Sequence, residues 1–85
     1  MNSYVTIYNE LKKVVHEESI FSLSSSDDSL HGDYATNIAF VLSKEKGTSP
    51  KECAESILPV LQESCKDIVQ KIEIAGPGFI NFFLK

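Results

Sequence analysis

Long hydrophobic runs are missing from this sequence. No stretch approaches the roughly 20 consecutive apolar residues that a membrane-spanning helix needs. No secretory signal peptide is visible, because the first apolar positions are interleaved with Asn9, Glu10, Lys12 and Lys13. The 85 residues are 42% hydrophobic and 24% charged, which is ordinary for a soluble globular protein. We therefore expect a single small domain, residues 1–85, located in the cytoplasm.

Cysteine is scarce, with only Cys53 and Cys65 in the chain. Both fall in one predicted helix, where a rise of about 1.5 Å per residue separates them by roughly 18 Å. A disulfide needs Cα atoms within about 7 Å, so a continuous helix excludes a bond between these two residues. We interpret both as reduced residues of the core.

Basic residues are outnumbered, with eight against twelve acidic residues and a net charge of −4. Nucleic-acid binding that relies on phosphate attraction alone needs the opposite balance. The composition argues against a domain of that kind. If the chain meets RNA, other parts of a larger protein must hold the RNA backbone.

Groups that carry catalysis are also few. Asp27 and Asp28 have no clustered histidine, cysteine or further acid to complete a metal shell, so we interpret them as part of a solvated loop. His16 lies near a predicted helix end, and His31 has no partner visible in the sequence. No His-x-Gly-His signature, phosphate-binding glycine loop or nucleophile paired with a base is present. We predict no catalytic residue, no metal site and no cofactor within this domain.

The clearest pattern in the chain is a β-hairpin over residues 71–85. Apolar and polar residues alternate on both sides of a break at Gly76-Pro77-Gly78. A type II turn fits this break, because Pro77 presets φ near −65° and Gly78 accepts a positive φ. The inner faces of the two strands then carry the apolar side chains Ile72, Ile74, Ile80, Phe82 and Leu84.

The outer face of the second strand carries Phe79, Asn81 and Phe83, so that two phenylalanines bracket an amide. Two interpretations are open. In the first, a helix covers this face and all three residues are structural. In the second, the face is a recognition surface on which an aromatic ring stacks on a base while the amide binds a base edge.

Helical spacing of apolar residues predicts a first helix from Ser3 to about Glu17, capped by Asn2 or Ser3. A short strand at Ile20–Leu23 follows, and the polar segment 24–32 is expected to form a mobile surface loop. A second helix with one apolar face ends at Gly47, and residues 32–35 form either its start or a brief strand. The apolar face consists of Ala35, Ile38, Ala39 and Leu42, with Asp33 or Thr36 as the cap.

A third helix begins with a complete capping box, Ser49-Pro50-Lys51-Glu52. Pro59 lies some nine residues further on, removes a backbone hydrogen bond and should kink or divide this helix. Ile68 then opens the strand that leads into the hairpin. This order of elements predicts an α+β fold, with a small, mainly antiparallel sheet of three to four strands and about three helices packed on one face.

Three motifs together resemble one known family. They are GDYATNIAF at 32–40, Lys46-Gly47-x-Ser49-Pro50, and IEIAGPGFINFFL at 72–84. In order and spacing they are similar to the N-terminal additional domain of arginyl-tRNA synthetase, from about residue 20 to the end of the chain. The resemblance implies an α+β domain that precedes a class I catalytic core and contacts the D-loop of tRNA.

The resemblance also implies which residues contact tRNA. In that family an aromatic residue and an amide on the strand after the Gly-Pro turn contact a D-loop base, and these carry over onto Phe79 and Asn81. Gly76 and Gly78 would let a nucleotide approach the backbone closely, and Phe83 completes the same face. Four further residues of the resemblance are interpreted as capping and core residues: Asp33, Tyr34, Thr36 and Asn37.

The function expected from the resemblance is that of a tRNA-binding accessory domain. Its parent enzyme would attach arginine to tRNA with ATP and magnesium, using a catalytic core that lies beyond these residues. Because the chain stops as the sheet closes, we expect a fragment of a longer protein. Two alternatives belong to other classes: a protein-docking module that uses the aromatic face or the edge strand of the hairpin, and a small free-standing enzyme.

Overall fold

The chain forms three helices and four strands in the computed structural model, which describes residues 2–25 and 32–85. In chain order the elements are α1 (Ser3–Lys12), β1 (Leu23–Ser25), β2 (Tyr34–Thr36), α2 (Ile38–Lys46), α3 (Pro50–Ser64), β3 (Val69–Ala75) and β4 (Phe79–Leu84). The predicted α+β class is confirmed. Asp27, Asp28 and His31, which we assigned to a surface loop, lie outside the described residues.

The four strands form one antiparallel sheet in the order β1-β2-β4-β3. The predicted hairpin is confirmed as β3 and β4, and β2 lies on the other side of β4. In the central row Tyr34, Phe82 and Ile72 lie opposite one another. A register shift between Val69 and Lys71 interrupts the pairing near the start of β3. Because β4 has a partner on each side, its outer side chains lie in the middle of a sheet face.

The helices cover the face of the sheet that carries Ile72, Ile80 and Phe82, with α3 packed on β3 and α2 on β4. Ile80 and Phe82 are fully buried, and burial of a side chain of this size contributes about 1.5–3 kcal/mol. The helices supply the other half of the core, with Ile7, Leu11, Ile38, Ala39, Leu42, Ala54, Ile57 and Leu61. The inner face predicted from alternation is therefore confirmed.

Local capping rules account for where the helices begin and end. The Oδ1 atom of Asn2 accepts a hydrogen bond from the Tyr4 N–H at 2.8 Å, and the Oγ atom of Ser49 accepts one from the Glu52 N–H at 3.2 Å. Gly47 ends α2 with a φ of 74°, a conformation that glycine adopts without strain. These caps confirm the predicted starts of α1 and α3 and the predicted end of α2.

Several boundaries differ from the sequence predictions. Helix α1 ends at Lys12 rather than near Glu17. The first strand is Leu23–Ser25 rather than Ile20–Leu23, and Ile20 is 88% exposed. Residues Tyr34–Thr36 form a strand, so the alternative start of the second helix was wrong. The two strand errors share a cause, because β1 is limited by its pairing with β2, and β2 by its pairing with β4, which is distant in sequence.

The turn of the hairpin is not the predicted type II turn. The N–H of Gly78 donates to the carbonyl of Ala75 at 3.4 Å, so the turn begins one residue earlier than expected. Gly76 then occupies the second place with a φ of 57°, and Pro77 occupies the third. A type II turn needs a φ near −60° at its second place, which excludes it here.

Helix α3 is continuous from Pro50 to Ser64, so Pro59 does not divide it. The ring of Pro59 removes the hydrogen bond to the carbonyl of Glu55. Both residues are exposed, so water can satisfy that carbonyl.

Cys53 and Cys65, at 3% and 1% exposure, are free thiols in the core, as predicted. No helix of the described chain combines the length and the hydrophobicity that crossing a membrane requires.

Candidate nucleic-acid interface

The face of β4 turned away from the core presents Phe79, Asn81 and Phe83. Pairing sets their neighbours across the sheet: Phe79 lies opposite Ala75, and Phe83 lies opposite Lys71. Asn81 lies between Ala35 of β2 and Glu73 of β3. We call this surface the β4 outer face, defined by Phe79, Asn81, Phe83 and Lys71.

Phe79 is the exposed aromatic residue of this face, with 45% of its surface accessible. Its ring centroid lies 4.8 Å from that of Phe40 on α2, with an angle of 53° between the ring planes. This geometry is typical of a favourable aromatic contact. The helix therefore supports part of the ring without covering it, so the interpretation in which a helix covers this face does not hold for Phe79.

Asn81 is only 5% exposed, although it lies on the outer face. It is flanked by two strands and by two phenylalanines, which leave a short side chain little access to solvent. Alternation along a strand predicts a side chain's face correctly, but the size of its neighbours decides how much of it solvent reaches.

Phe83 is half-buried beneath a lysine. The Nζ atom of Lys71 lies 4.5 Å from the centre of the Phe83 ring, within the range of a cation–π interaction. The same Nζ atom is 3.4 Å from Oε2 of Glu73. Alternation alone places Lys71 on the outer side of β3, but sequence reasoning did not predict its contact with Phe83, because that contact depends on the register between β3 and β4.

The two turn glycines have different surroundings. Gly76 is exposed, and a Cβ placed there would find its nearest neighbour, Cδ2 of Phe79, at 4.0 Å. Gly78 is buried, and a Cβ placed there would lie 2.8 Å from Cβ of Pro50. The missing side chain of Gly78 therefore lets the turn pack on the start of α3, whereas Gly76 lies on the open side, next to Phe79.

The GDYATNIAF motif holds β2 and the neighbouring segments against the hairpin. Asp33 donates its N–H to the carbonyl of Phe82 at 2.8 Å and accepts the N–H of Leu84 on Oδ2, also at 2.8 Å. Thr36 donates its hydroxyl to the carbonyl of Ser22 at 2.6 Å and accepts the N–H of Ile38 at 3.2 Å. The structural interpretation of this motif is confirmed for Thr36, whereas Asp33 binds a strand and does not cap a helix.

His16 takes part in a small polar cluster between the segment after α1 and helix α2. Its Nε2 atom is 3.7 Å from Oε1 of Glu45, whose other carboxylate oxygen accepts a hydrogen bond from the Ser19 hydroxyl. The carboxylate therefore lies between the imidazole and the hydroxyl, which is not the order needed to activate a serine nucleophile. Within the described ranges no group of three or more histidine, cysteine or acidic side chains is placed to hold a metal ion.

Comparison with known sequences agrees with the motifs. A family model described as the arginyl tRNA synthetase N terminal domain matches residues 5–84. An arginine–tRNA ligase from Hydrogenovibrio crunogenus is 51% identical over 63 residues, covering 74% of this chain and 10% of the relative. One from Shewanella halifaxensis is 46% identical over 67 residues, covering 79% and 11%. One from Listeria welshimeri is 51% identical over 57 residues, covering 67% and 10%.

The chain therefore belongs to the arginyl-tRNA synthetase N-terminal domain family. The match covers almost the whole chain and includes all three motifs that carried the resemblance. The chain spans about a tenth of the length of the curated relatives it matches.

Proposed function

We propose that this chain is the tRNA-binding accessory domain of an arginyl-tRNA synthetase and that its β4 outer face contacts the D-loop. The domain positions tRNA for attachment of arginine by a catalytic core elsewhere in the parent enzyme. That core uses ATP and magnesium, and the parent acts in the cytoplasm. Membership of the synthetase family supports this proposal, and the described residues supply a surface suited to it.

The observation that carries the proposal is the exposure of Phe79. An aromatic ring that is 45% accessible leaves apolar surface in contact with water, at a cost that a ligand can remove by stacking on the ring. Stacking of one base on an aromatic side chain contributes about 1–3 kcal/mol. Support from Phe40 on one side restricts the ring, so little conformational freedom is lost on binding.

Asn81 supplies the polar group next to this ring. Residues two apart on one face of a strand are separated by roughly 7 Å, so the edge of a base on Phe79 comes near the amide. An amide can form two hydrogen bonds with one base edge. Because Asn81 is 5% exposed, we expect its amide to move slightly outward when the base binds. Gly76 and Phe83 border the same surface.

The net charge of −4 is compatible with this role in a larger enzyme. Phosphate contacts made elsewhere in the parent supply most of the affinity, while this domain adds selectivity. Linkage to the parent also raises the effective concentration of the domain near bound tRNA.

The test is a titration of the ¹⁵N-labelled chain with unmodified arginine tRNA in about 50 mM KCl, where phosphate attraction is weakly screened. We expect changes in backbone-amide chemical shift concentrated on residues 76–83. We also expect Phe79→Ala to bind tRNA roughly 5- to 150-fold more weakly than the wild-type chain. Ile20→Ala is the matched control, because Ile20 is an exposed apolar residue outside this face. Equal affinities of the two variants, or shifts confined to other surfaces, would contradict the proposal.

A protein-docking role is the second candidate, because the exposed ring of Phe79 packs against the half-buried ring of Phe40 and leaves apolar surface open to a partner. Asn81→Ala separates the two functions. Base recognition loses affinity on replacement of either Phe79 or Asn81, whereas an apolar protein contact depends on Phe79 and hardly on the amide. The thermal transition of each variant shows whether it has kept its fold.

A further inference from the structure

A hollow of about 530 Å³ lies where the end of α3 meets β3, at the edge of the sheet. Its lining includes Lys66, Lys71 and Lys85, together with Gln62 and Gln70, and no acidic residue. The whole chain has only eight basic residues, so three of them surround this one depression in a protein whose net charge is −4. We call it the lysine hollow.

The ammonium groups of the lysine hollow are held by weak contacts. Nζ of Lys66 is 3.0 Å from Oε1 of Glu63, and the two side chains are 62% and 76% exposed. Nζ of Lys71 is 3.4 Å from Oε2 of Glu73, and those side chains are 53% and 52% exposed. Ion pairs this exposed contribute little, so an incoming anion can replace either carboxylate.

The hollow also presents neutral donors. Gln62 and Gln70 each carry an amide group, and β3 is an edge strand with backbone N–H groups that no strand of the described sheet pairs. The register shift between Val69 and Lys71 lies at this point. Lysine, amide and backbone donors around one depression are the usual surroundings of a phosphate in a protein–RNA complex.

Lys71 connects the hollow to the β4 outer face. It lines the hollow, and its Nζ atom also lies 4.5 Å from the centre of the Phe83 ring. Phe83 is four residues along β4 from Phe79, a distance of roughly 13 Å. An RNA strand with one base on Phe79 therefore reaches the hollow within a few nucleotides.

We propose that the lysine hollow binds a phosphodiester group of the RNA whose base stacks on Phe79, with Lys66 and Lys71 as its main cationic contacts. This inference rests on the proposed function and extends it, because it assigns a backbone contact to a domain whose overall charge opposes one. The hollow determines how the strand runs across β3, and Phe79 determines which position is read.

The experiment compares the salt dependence of binding in two double variants of the 85-residue chain. Lys66→Gln with Lys71→Gln removes two lysines of the hollow. Lys12→Gln with Lys13→Gln is the matched control on α1. Each double variant changes the net charge by the same amount, and each breaks a lysine–glutamate pair three residues apart at 3.0 Å. Affinity for unmodified arginine tRNA is measured by fluorescence anisotropy from about 50 to 200 mM KCl.

We expect the hollow variant to flatten the slope of log K against log salt by about 0.7, since the hollow binds one phosphate and each phosphate contact to a single strand contributes about 0.7. The control should keep the wild-type slope. The hollow variant should also weaken binding equally for tRNA with native and substituted D-loop nucleotides, because phosphate contacts carry no sequence information.

Other outcomes separate this inference from the proposed function. Equal slopes in the two double variants would contradict the phosphate contact in the lysine hollow and leave the role of Phe79 intact. A flattened slope in the hollow variant, together with a wild-type affinity in Phe79→Ala, would support the phosphate contact and contradict base stacking on Phe79. Failure of the wild-type chain to bind tRNA at millimolar concentration would overturn both.

Discussion

The carboxylate of Asp33 accepts a hydrogen bond from the backbone N–H of Leu84 at 2.8 Å, across 51 positions of sequence. The Asp33 N–H donates in turn to the Phe82 carbonyl at 2.8 Å. One residue therefore binds the backbone of β4, the strand that carries the candidate interface, at two points.

We expect Asp33→Ala to lower the free energy of unfolding by roughly 1–2 kcal/mol, because it leaves the Leu84 N–H without its partner at a partly accessible position. Asp33→Asn keeps an acceptor oxygen and should cost less. Urea denaturation of both variants measures the difference. No loss in either variant would mean that this hydrogen bond contributes nothing to stability.

Gly32 lies just before β2, where the chain comes close to β4, and a side chain added there probes this close approach. A Cβ there would lie 2.6 Å from the Phe82 carbonyl oxygen, and Gly32 has a φ of 82°. We expect Gly32→Ala to cost roughly 3 kcal/mol or more, since backbone would have to move. The control is Gly47→Ala, because Gly47 has a similar φ of 74° but a Cβ placed there would meet no neighbouring atom within 4 Å. Its cost should therefore be only the conformational term of about 1–2 kcal/mol. Thermal denaturation that ranks the two variants in the reverse order would contradict this reasoning.

In a parent enzyme that carries this domain, we expect Phe79→Ala to raise the KM for tRNA while the KM values for arginine and ATP stay nearly unchanged. The reason is that the proposed base contact would be remote from the reacting groups and would contribute to tRNA binding alone. Steady-state aminoacylation kinetics measure all three values, with Ile20→Ala as the exposed apolar control. An unchanged KM for tRNA would contradict the assignment of Phe79 as a tRNA contact.

Burial raises the pKa of the Cys65 thiol above its ordinary value of 9.0; a hydrogen bond with Ser64 opposes this shift, and the charge of Glu10 adds to it. The folded state therefore keeps this proton at pH values where the unfolded chain has lost it. The stability contribution is complete below pH 9.0 and is lost as the pH rises through the raised pKa.

We expect the free energy of unfolding of the wild-type chain to fall more steeply above about pH 9 than that of Cys65→Ala. Alkylation of Cys65 by iodoacetamide should also be slow at neutral pH and fast in denaturant. Parallel stability curves for the two proteins would show that Cys65 titrates as an exposed thiol does.

Sequence patterns predicted the features that depend on a few neighbouring residues. The capping box at Ser49 is one, because its hydrogen bond to Glu52 spans three positions. Alternation in β3 and β4 likewise assigned Phe82 to the core and Phe79 to the outer face, since the side-chain period of a strand is two. The turn at Pro77 was predicted as a break, but its type was wrong, because packing of Gly78 on Pro50 also constrains it.

By itself the sequence determined the α+β class, the hairpin, the membership of the synthetase family and the set of side chains on the outer face, because periodicity, capping and motif order are local properties. Only the tertiary structure decided that Phe79 is open while Asn81 is covered, that Phe40 supports the ring, and that three lysines surround one hollow. These relationships depend on the order β1-β2-β4-β3 and on the register between strands. Both are set by burial of one shared core, to which residues from the whole length of the chain contribute at once.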